Sequence, residues 1–282
     1  MQNTISHQTF DAERSLYNLK DTLVQNCTFA GPADGESVLK EARNIIVDQT
    51  EFSLRYPLWH VQKYELLNSR MDDATRAPIW YSNDGLISGC TITGIKCLRE
   101  CNRTRIQDSI IKSPEFGWKC HDVEYDRTTM ESEYFMLDSS DIRINQMNFK
   151  GKYSFQYVNN LHITNSNLDT KDAFWHSKNI TVEDSVVKGE YLGWFSEGLT
   201  LIRCHIIGTQ PLCYCKDLKL IDCTMEGTDL SFEYSDVEAT VKGHILSVKN
   251  PKSGTIIADS VGEIIHEDPI MECTGQVIIR EA

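Results

Sequence analysis

Apolar and polar residues alternate in short runs along most of the chain, and the runs return at a fixed distance. The apolar residues that open them, Ile87, Ile106, Tyr125, Ile144, Ile163, Val182, Leu201 and Leu220, follow one another in seven successive steps of nineteen residues. The motif continues with looser spacing at Val24, Val47 and Leu66 upstream and at Val241 downstream. Period-two alternation with no sustained helical period predicts strands. A strand unit this short cannot bury its own apolar face, so the repeats must stack. The expected fold is all-β, a right-handed parallel β-helix (solenoid) of about a dozen coils, the hand following from the general crossover preference. One domain would span 1–282, with 1–23 as an N-terminal cap or first coil and 242–282 as an irregular C-terminal cap.

Positions within the repeat follow the same logic. Two residues before the opening residue stand Val123, Ile142, Leu161, Ile180, Leu199 and Leu218, one inward alternation away. Two residues after it stand Asn26, Asp108, Asn165, Asp184 and Asp222, types that tolerate a left-handed corner. One position further on, small residues recur (Cys27, Cys90, Ser109, Thr128, Ser166, Ser185, Cys204, Cys223), and large apolar ones follow two residues later. Interior stacks of like residues are therefore expected. Gly31 to Glu36 reads as a loop, Val38 to Arg43 as one short helical turn, and Lys249 to Gly254 as a turn-rich break before strand-like Gly254–Val261 and Gln276–Arg280.

All five tryptophans, Trp59, Trp80, Trp118, Trp175 and Trp194, lie seven residues before an opening residue, in a column shared with Arg99. The preceding column (Leu58, Ile79, Leu98, Met136, Phe155, Phe174, Leu212) is apolar and expected to face inward. The following one (Glu41, His60, Tyr81, Glu100, Lys119, Asp138, Tyr157, His176, Phe195, Tyr214) is aromatic or titratable at nearly every coil. Two adjacent outward columns require an irregularity in the strand, and the pattern leaves open which of the two points more directly to solvent. His121 stands two residues beyond Lys119. Such a wall can be a shallow groove that holds a sugar chain by stacking and polar contacts. It can equally be a packed aromatic stack beside a surface charge ladder worth little.

Asp plus Glu outnumber Lys plus Arg by 41 to 28, a net charge of −13, which argues against nucleic acid and other polyanions as partners. The first twenty residues lack the apolar run of a signal peptide, and no window approaches a membrane span. A cytoplasmic protein with no membrane partner is expected. The ten cysteines include no C-x-x-C spacing, so buried thiols are expected rather than ligands. His60 and His176 stand about six coils apart on this spacing and could not share an ion. No cofactor motif is present, and neither a metal nor a cofactor is expected.

Glu36-Ser37-Val38-Leu39-Lys40-Glu41, Tyr56-Pro57-Leu58-Trp59, Asp172-Ala173-Phe174-Trp175-His176, Gly189 to Ser196, Gly208 to Cys215 and Phe232-Glu233-Tyr234-Ser235 resemble a bacterial family known as domain of unknown function 3737. Val38 stands where the family motif leads one to expect proline. The resemblance covers nearly the whole chain and implies a pectate-lyase-like right-handed β-helix, with no established activity and no catalytic residues to carry over.

Two functional readings remain. In the first, a carbohydrate-active enzyme, hydrolase or lyase, holds an oligosaccharide on Trp59, Trp80, Tyr81, Trp118, His121, Tyr157, Trp175, His176, Trp194 and Tyr214. Glu100 and Asp138, two coils or about 9.6 Å apart, would approach the separation of an inverting pair. Lys119 between them would keep Glu100 ionised, while Arg99 or Lys119 would serve as base in a β-elimination. In the second, the same wall binds a carbohydrate or a partner without chemistry. Whether there is turnover, the ligand and the oligomeric state stay open.

Overall fold

A computed structural model describes residues 3–31 and 35–281. Among them there is no helix, and the chain is a parallel β-solenoid of about 14 turns spaced about 19 residues apart, rather than the dozen counted from the pattern. It divides into two compact units, Met1–Arg143 and Ile144–Ala282. The loop expected from Gly31 to Glu36 falls largely on residues 32–34, outside the described residues. The helical turn expected at Val38 to Arg43 is a plain turn over 38–41, and a strand begins at Arg43.

In the first unit the coils after the first carry a six-residue strand. Lys20–Gln25, Arg43–Asp48, Gln62–Leu67, Asn83–Ser88, Asn102–Gln107 and His121–Asp126 stack in parallel. The opening residues pair in register, Val24 with Val47, Val47 with Leu66, Leu66 with Ile87, Ile87 with Ile106 and Ile106 with Tyr125. A separate five-stranded sheet (Leu58–Trp59, Ile79–Trp80, Cys97–Arg99, Glu115–Trp118, Tyr134–Phe135) forms another wall. In the second unit the register Ile163, Val182, Leu201, Leu220 continues to Ala239, not to Val241. An irregularity between Leu220 and Cys223 pairs Val241 with Cys223 instead. The pattern favoured the larger residue, whereas the hydrogen-bonded register kept the nineteen-residue step.

The interior is built as like upon like. Phe10, Phe29 and Phe52 stack at 5.1 and 5.0 Å, and Phe155 on Phe174 at 5.3 Å. Tyr64 is fully buried, with its ring over Gly85 of the next coil, where an added Cβ would lie 2.2 Å from the ring. The ten cysteines are free thiols; nine are buried, and Cys27, Cys90, Cys204 and Cys223 occupy the small interior column as expected. That column does more than save space. Each small residue follows a left-handed corner, and its amide points along the solenoid. The amides of Thr50, Cys90, Met147 and Ser166 donate to the hydroxyls of Ser69, Ser109, Ser166 and Ser185 in the next coil, at 3.0 to 3.1 Å. Ser109 Oγ in turn donates to the Gln107 carbonyl at 2.7 Å.

Removing such a hydroxyl strands a buried amide. Ser109→Ala is expected to lower the unfolding free energy by about 1–3 kcal/mol. Thr91→Ala, on the outer face of the neighbouring coil, should stay within about 0.5 kcal/mol. Chemical denaturation of the two variants checks the contrast.

Candidate functional site

The aromatic wall owes its shape to one backbone choice. The residue after each position of the tryptophan column adopts a left-handed conformation: His60 (φ 56), Tyr81 (59), Glu100 (50), Lys119 (53) and Asp138 (52) in the first unit, and Tyr157 (58), His176 (54), Phe195 (59) and Tyr214 (58) in the second. This is the irregularity that two adjacent outward columns demand. The amide of each corner donates to the carbonyl of the tryptophan-column residue one coil on: His60 to Trp80, Tyr81 to Arg99, Glu100 to Trp118, Lys119 to Leu137, and His176 to Trp194, at 2.9 to 3.1 Å. The tryptophan column itself is half-buried. The column after it points more directly to solvent, with Glu100, Lys119, Asp138, Tyr157, His176 and Phe195 exposed.

Four of the five indoles are tied into the backbone. Trp59 Nε1 donates to the Ala77 carbonyl at 2.7 Å, Trp80 to Lys96 at 2.7 Å, Trp175 to Tyr191 at 2.6 Å and Trp194 to Gln210 at 2.8 Å. Gln156, in the same column, imitates them by donating to Asp172 O at 3.1 Å. Trp59 and Trp80 stack at 5.3 Å, and Trp175 and Trp194 at 5.5 Å, nearly parallel in both cases. Arg99 continues the first stack. Its guanidinium lies 4.9 Å from the Trp80 ring and 5.2 Å from the Trp118 ring, held by cation–π contact on both faces. Arg99 Nε and Trp118 Nε1 are buried without a hydrogen-bond partner.

The solvent-facing column is stacked in the same manner. His60 lies on Tyr81 at 4.9 Å. In the second unit Tyr157, His176, Phe195 and Tyr214 form a continuous pile at 5.2, 5.0 and 4.9 Å, with interplanar angles of 6 to 20°. Tyr157 is 55% and Phe195 43% exposed, but rings piled this closely show solvent their edges and hide their faces. Tyr234, itself a left-handed corner, extends this pile, tilted against Tyr214 at 5.4 Å.

Glu100, Lys119 and Asp138 follow one another at the same corner of successive coils, and none enters an ion pair among the described residues. His121 begins the next long strand and bonds Ser140 Oγ, with Asp141 at 3.7 Å. In the second unit Asp172 is a further titratable candidate, one that neither outward column contains. It is nearly buried, and burial pushes its carboxyl above the ordinary range; Glu190 adds to the shift and Lys171 opposes it. Lys171 pairs with Glu190 at 2.7 Å and lies 5.4 Å from the Tyr191 ring.

An open groove of about 720 Å³ lies on the long-strand face of the first unit. The signal for it is a second run of left-handed corners, Asp21, Asn44, Lys63, Asp84, Arg103 and Asp122 (φ 48 to 57), each of which bends the chain just before a long strand goes straight. Glu65, Leu86, Arg105 and Glu124, next along the strands, complete the lining, with the backbone of Gly85 between. Arg103 grips Asp84 at 2.5 and 3.1 Å and holds its carboxyl below the ordinary range. Glu124 is shared by Arg105 and Arg143, each at 3.0 Å. Lys63 and Glu65 enter no ion pair among the described residues.

Fold and surface together define a parallel β-solenoid with a polar groove and a self-stacked aromatic wall. The chain belongs to the family described as Protein of unknown function (DUF3737), which matches residues 3–279. No curated protein matches the sequence. Among solved structures, PfbA, a surface adhesin of Streptococcus pneumoniae, is 10% identical, with 83% of each chain covered and a TM-score of 0.55. The A-module of the Azotobacter vinelandii mannuronan C-5 epimerase AlgE4 is 10% identical over 98% of this chain and 91% of that one, with a TM-score of 0.41. At such identity the likeness to PfbA is one of fold.

The indole bonds give a direct test of whether the tryptophans are structural. Trp80→Phe is expected to destabilise by about 1 kcal/mol or more by orphaning the Lys96 carbonyl. Trp118→Phe removes an N–H that has no partner and should cost less than Trp80→Phe. Both rings face Arg99, so the difference in unfolding midpoint reports the hydrogen bond together with the stacking of Trp80 on Trp59.

Proposed function

We propose that the protein is a saccharide-binding scaffold that holds a neutral oligosaccharide in the groove of the first unit, without chemistry. The observation that supports this most directly is the groove itself: about 720 Å³, with a charged or amide side chain at each coil along its corner wall. Coils repeat at the strand spacing of roughly 4.8 Å, so hydrogen-bonding groups recur at intervals suited to an extended, repeating polar ligand. The net charge of −13 disfavours a polyanion. Asp84 and Glu124 are both held by arginines, and Arg103 keeps Asp84 ionised and poor as a proton donor. Lys63 and Glu65 are free to meet ligand hydroxyls. The aromatic wall fits this reading less well as the sugar platform, because its ring faces are spent on one another.

A second reading, a hydrolase or lyase acting at Glu100, Lys119 and Asp138, is favoured by one feature. These three exposed charges are unpaired and stand beside the Trp80–Arg99–Trp118 stack. One set of variants separates the readings. Thermal-shift screening and titration calorimetry with neutral oligosaccharides should reveal binding that weakens about tenfold in Lys63→Ala/Glu65→Ala, the loss of roughly one charged hydrogen bond. It should be unchanged in Glu100→Ala/Lys119→Ala/Asp138→Ala. Ligand binding untouched by the groove variant, or the absence of any oligosaccharide that shifts the melt, would sink the scaffold proposal. Product release that the triple variant abolishes would establish the enzyme instead.

A further inference from the structure

The last coils of the second unit are unfinished on one side. Strand Ser253–Ile265 pairs along most of its length with Asp236–Lys249, but on its other edge only Thr255 to Ala258 are covered, by Gln276–Ile279. From Asp259 to Ile265 no strand lies on that side among the described residues. Two interior stacks end there. Buried Ile245 is in register with half-buried Val261, and buried Val248 with Ile264, which is 44% exposed. Elsewhere in the unit such columns are closed by another coil; here they stop at side chains shaped to accept one. The backbone between them offers unpaired ladder groups, which is what a further strand requires.

The charge beside this edge says which strand fits. Glu263 lies on the open segment and Glu267, Asp268 and Glu272 follow it; none enters an ion pair among the described residues. Arg280, close by, is already held by Asp259 at 2.6 Å. A second copy of this chain docking through the same edge would set these carboxylates against their own kind, which costs rather than stabilises. We infer that the Asp259–Ile265 edge is a docking site for an extended segment of another protein. That segment adds one parallel strand, carries β-branched apolar residues that cap Val261 and Ile264, and has lysine or arginine opposite Glu263 and Glu267.

The probe is a fluorescein-labelled octapeptide alternating valine and lysine, compared by anisotropy with one alternating valine and glutamate on the full chain. The valine–lysine peptide is expected to bind at least tenfold more tightly. Val261→Ser/Ile264→Ser leaves the charge unchanged and removes exposed apolar groups, so the fold should survive, as circular dichroism will check, while affinity falls at least fivefold. Glu263→Lys/Glu267→Lys should invert the preference between the peptides. Four results would overturn the inference: no binding of either peptide, equal binding of both, binding of the basic peptide that the serine variant leaves intact, which marks mere charge attraction, or a dimer in solution that the serine variant dissolves, which makes the occupant a second copy.

Discussion

The structure depends on left-handed corners whose amides are handed to the next coil. In an L-residue this conformation costs on the order of 1 kcal/mol, and each coil here uses it repeatedly: at Asp108, Arg127 and their equivalents, at Asp84, Arg103 and theirs, and at Glu100, Lys119 and theirs. No isolated turn would hold so many. They persist because every corner sits under another like it, so that Asp108 donates to Asp126 and Glu100 to Trp118, at 3.1 and 2.9 Å. The corner and the ladder are one interaction. Loss of register would leave both the strain and a set of buried amides uncompensated.

From that constraint follow the like-on-like columns. A side chain in one coil has its counterpart about one strand spacing away in the next, so aromatic residues find aromatic partners, and small hydroxyls find the amide they must satisfy. The tryptophan column shows how strong the logic is. Its rings stack, its N–H groups close the coil above, and Arg99 takes a place in the pile because a guanidinium is flat enough to do so. What looked like a binding surface in one dimension is largely consumed by internal packing in three.

Much of this was legible from residues alone, and the limits are physical. The nineteen-residue step is visible because identical coils bury identical positions, and the first corner is visible because asparagine and aspartate favour it, as at Asn26 and Asp184. The other corners carry Tyr81, Lys119 or Arg103, residues with no left-handed preference, held there by the ladder and so silent in sequence. Ala239 escaped because a bulge displaced the apolar pattern onto Val241. The groove runs beside a second corner that aspartate and asparagine do mark, at Asp21, Asn44, Asp84 and Asp122, but Lys63 and Arg103 interrupt the run and only the stacking of the coils makes one wall of it.

Repetition also limits the chemistry such a surface can support. Like charges stacked coil upon coil would repel, and the long-strand face instead alternates: Asp84 with Arg103, Arg105 with Glu124 and Arg143, Asp184 with Arg203. Each carboxylate then has a cation within reach, and the arginines hold the carboxyls of Asp84, Asp108 and Asp184 below the ordinary range. A general acid must keep its proton near neutrality, so a regular charge ladder is a poor place to find one. Among the carboxyls whose titration is clearly displaced, Asp172 moves the other way, because burial outweighs the pull of Lys171 and Glu190 works against ionisation. If this solenoid does perform acid–base chemistry, a break in the alternation is where it has to occur, and the regular stretches are better suited to holding a ligand than to transforming it.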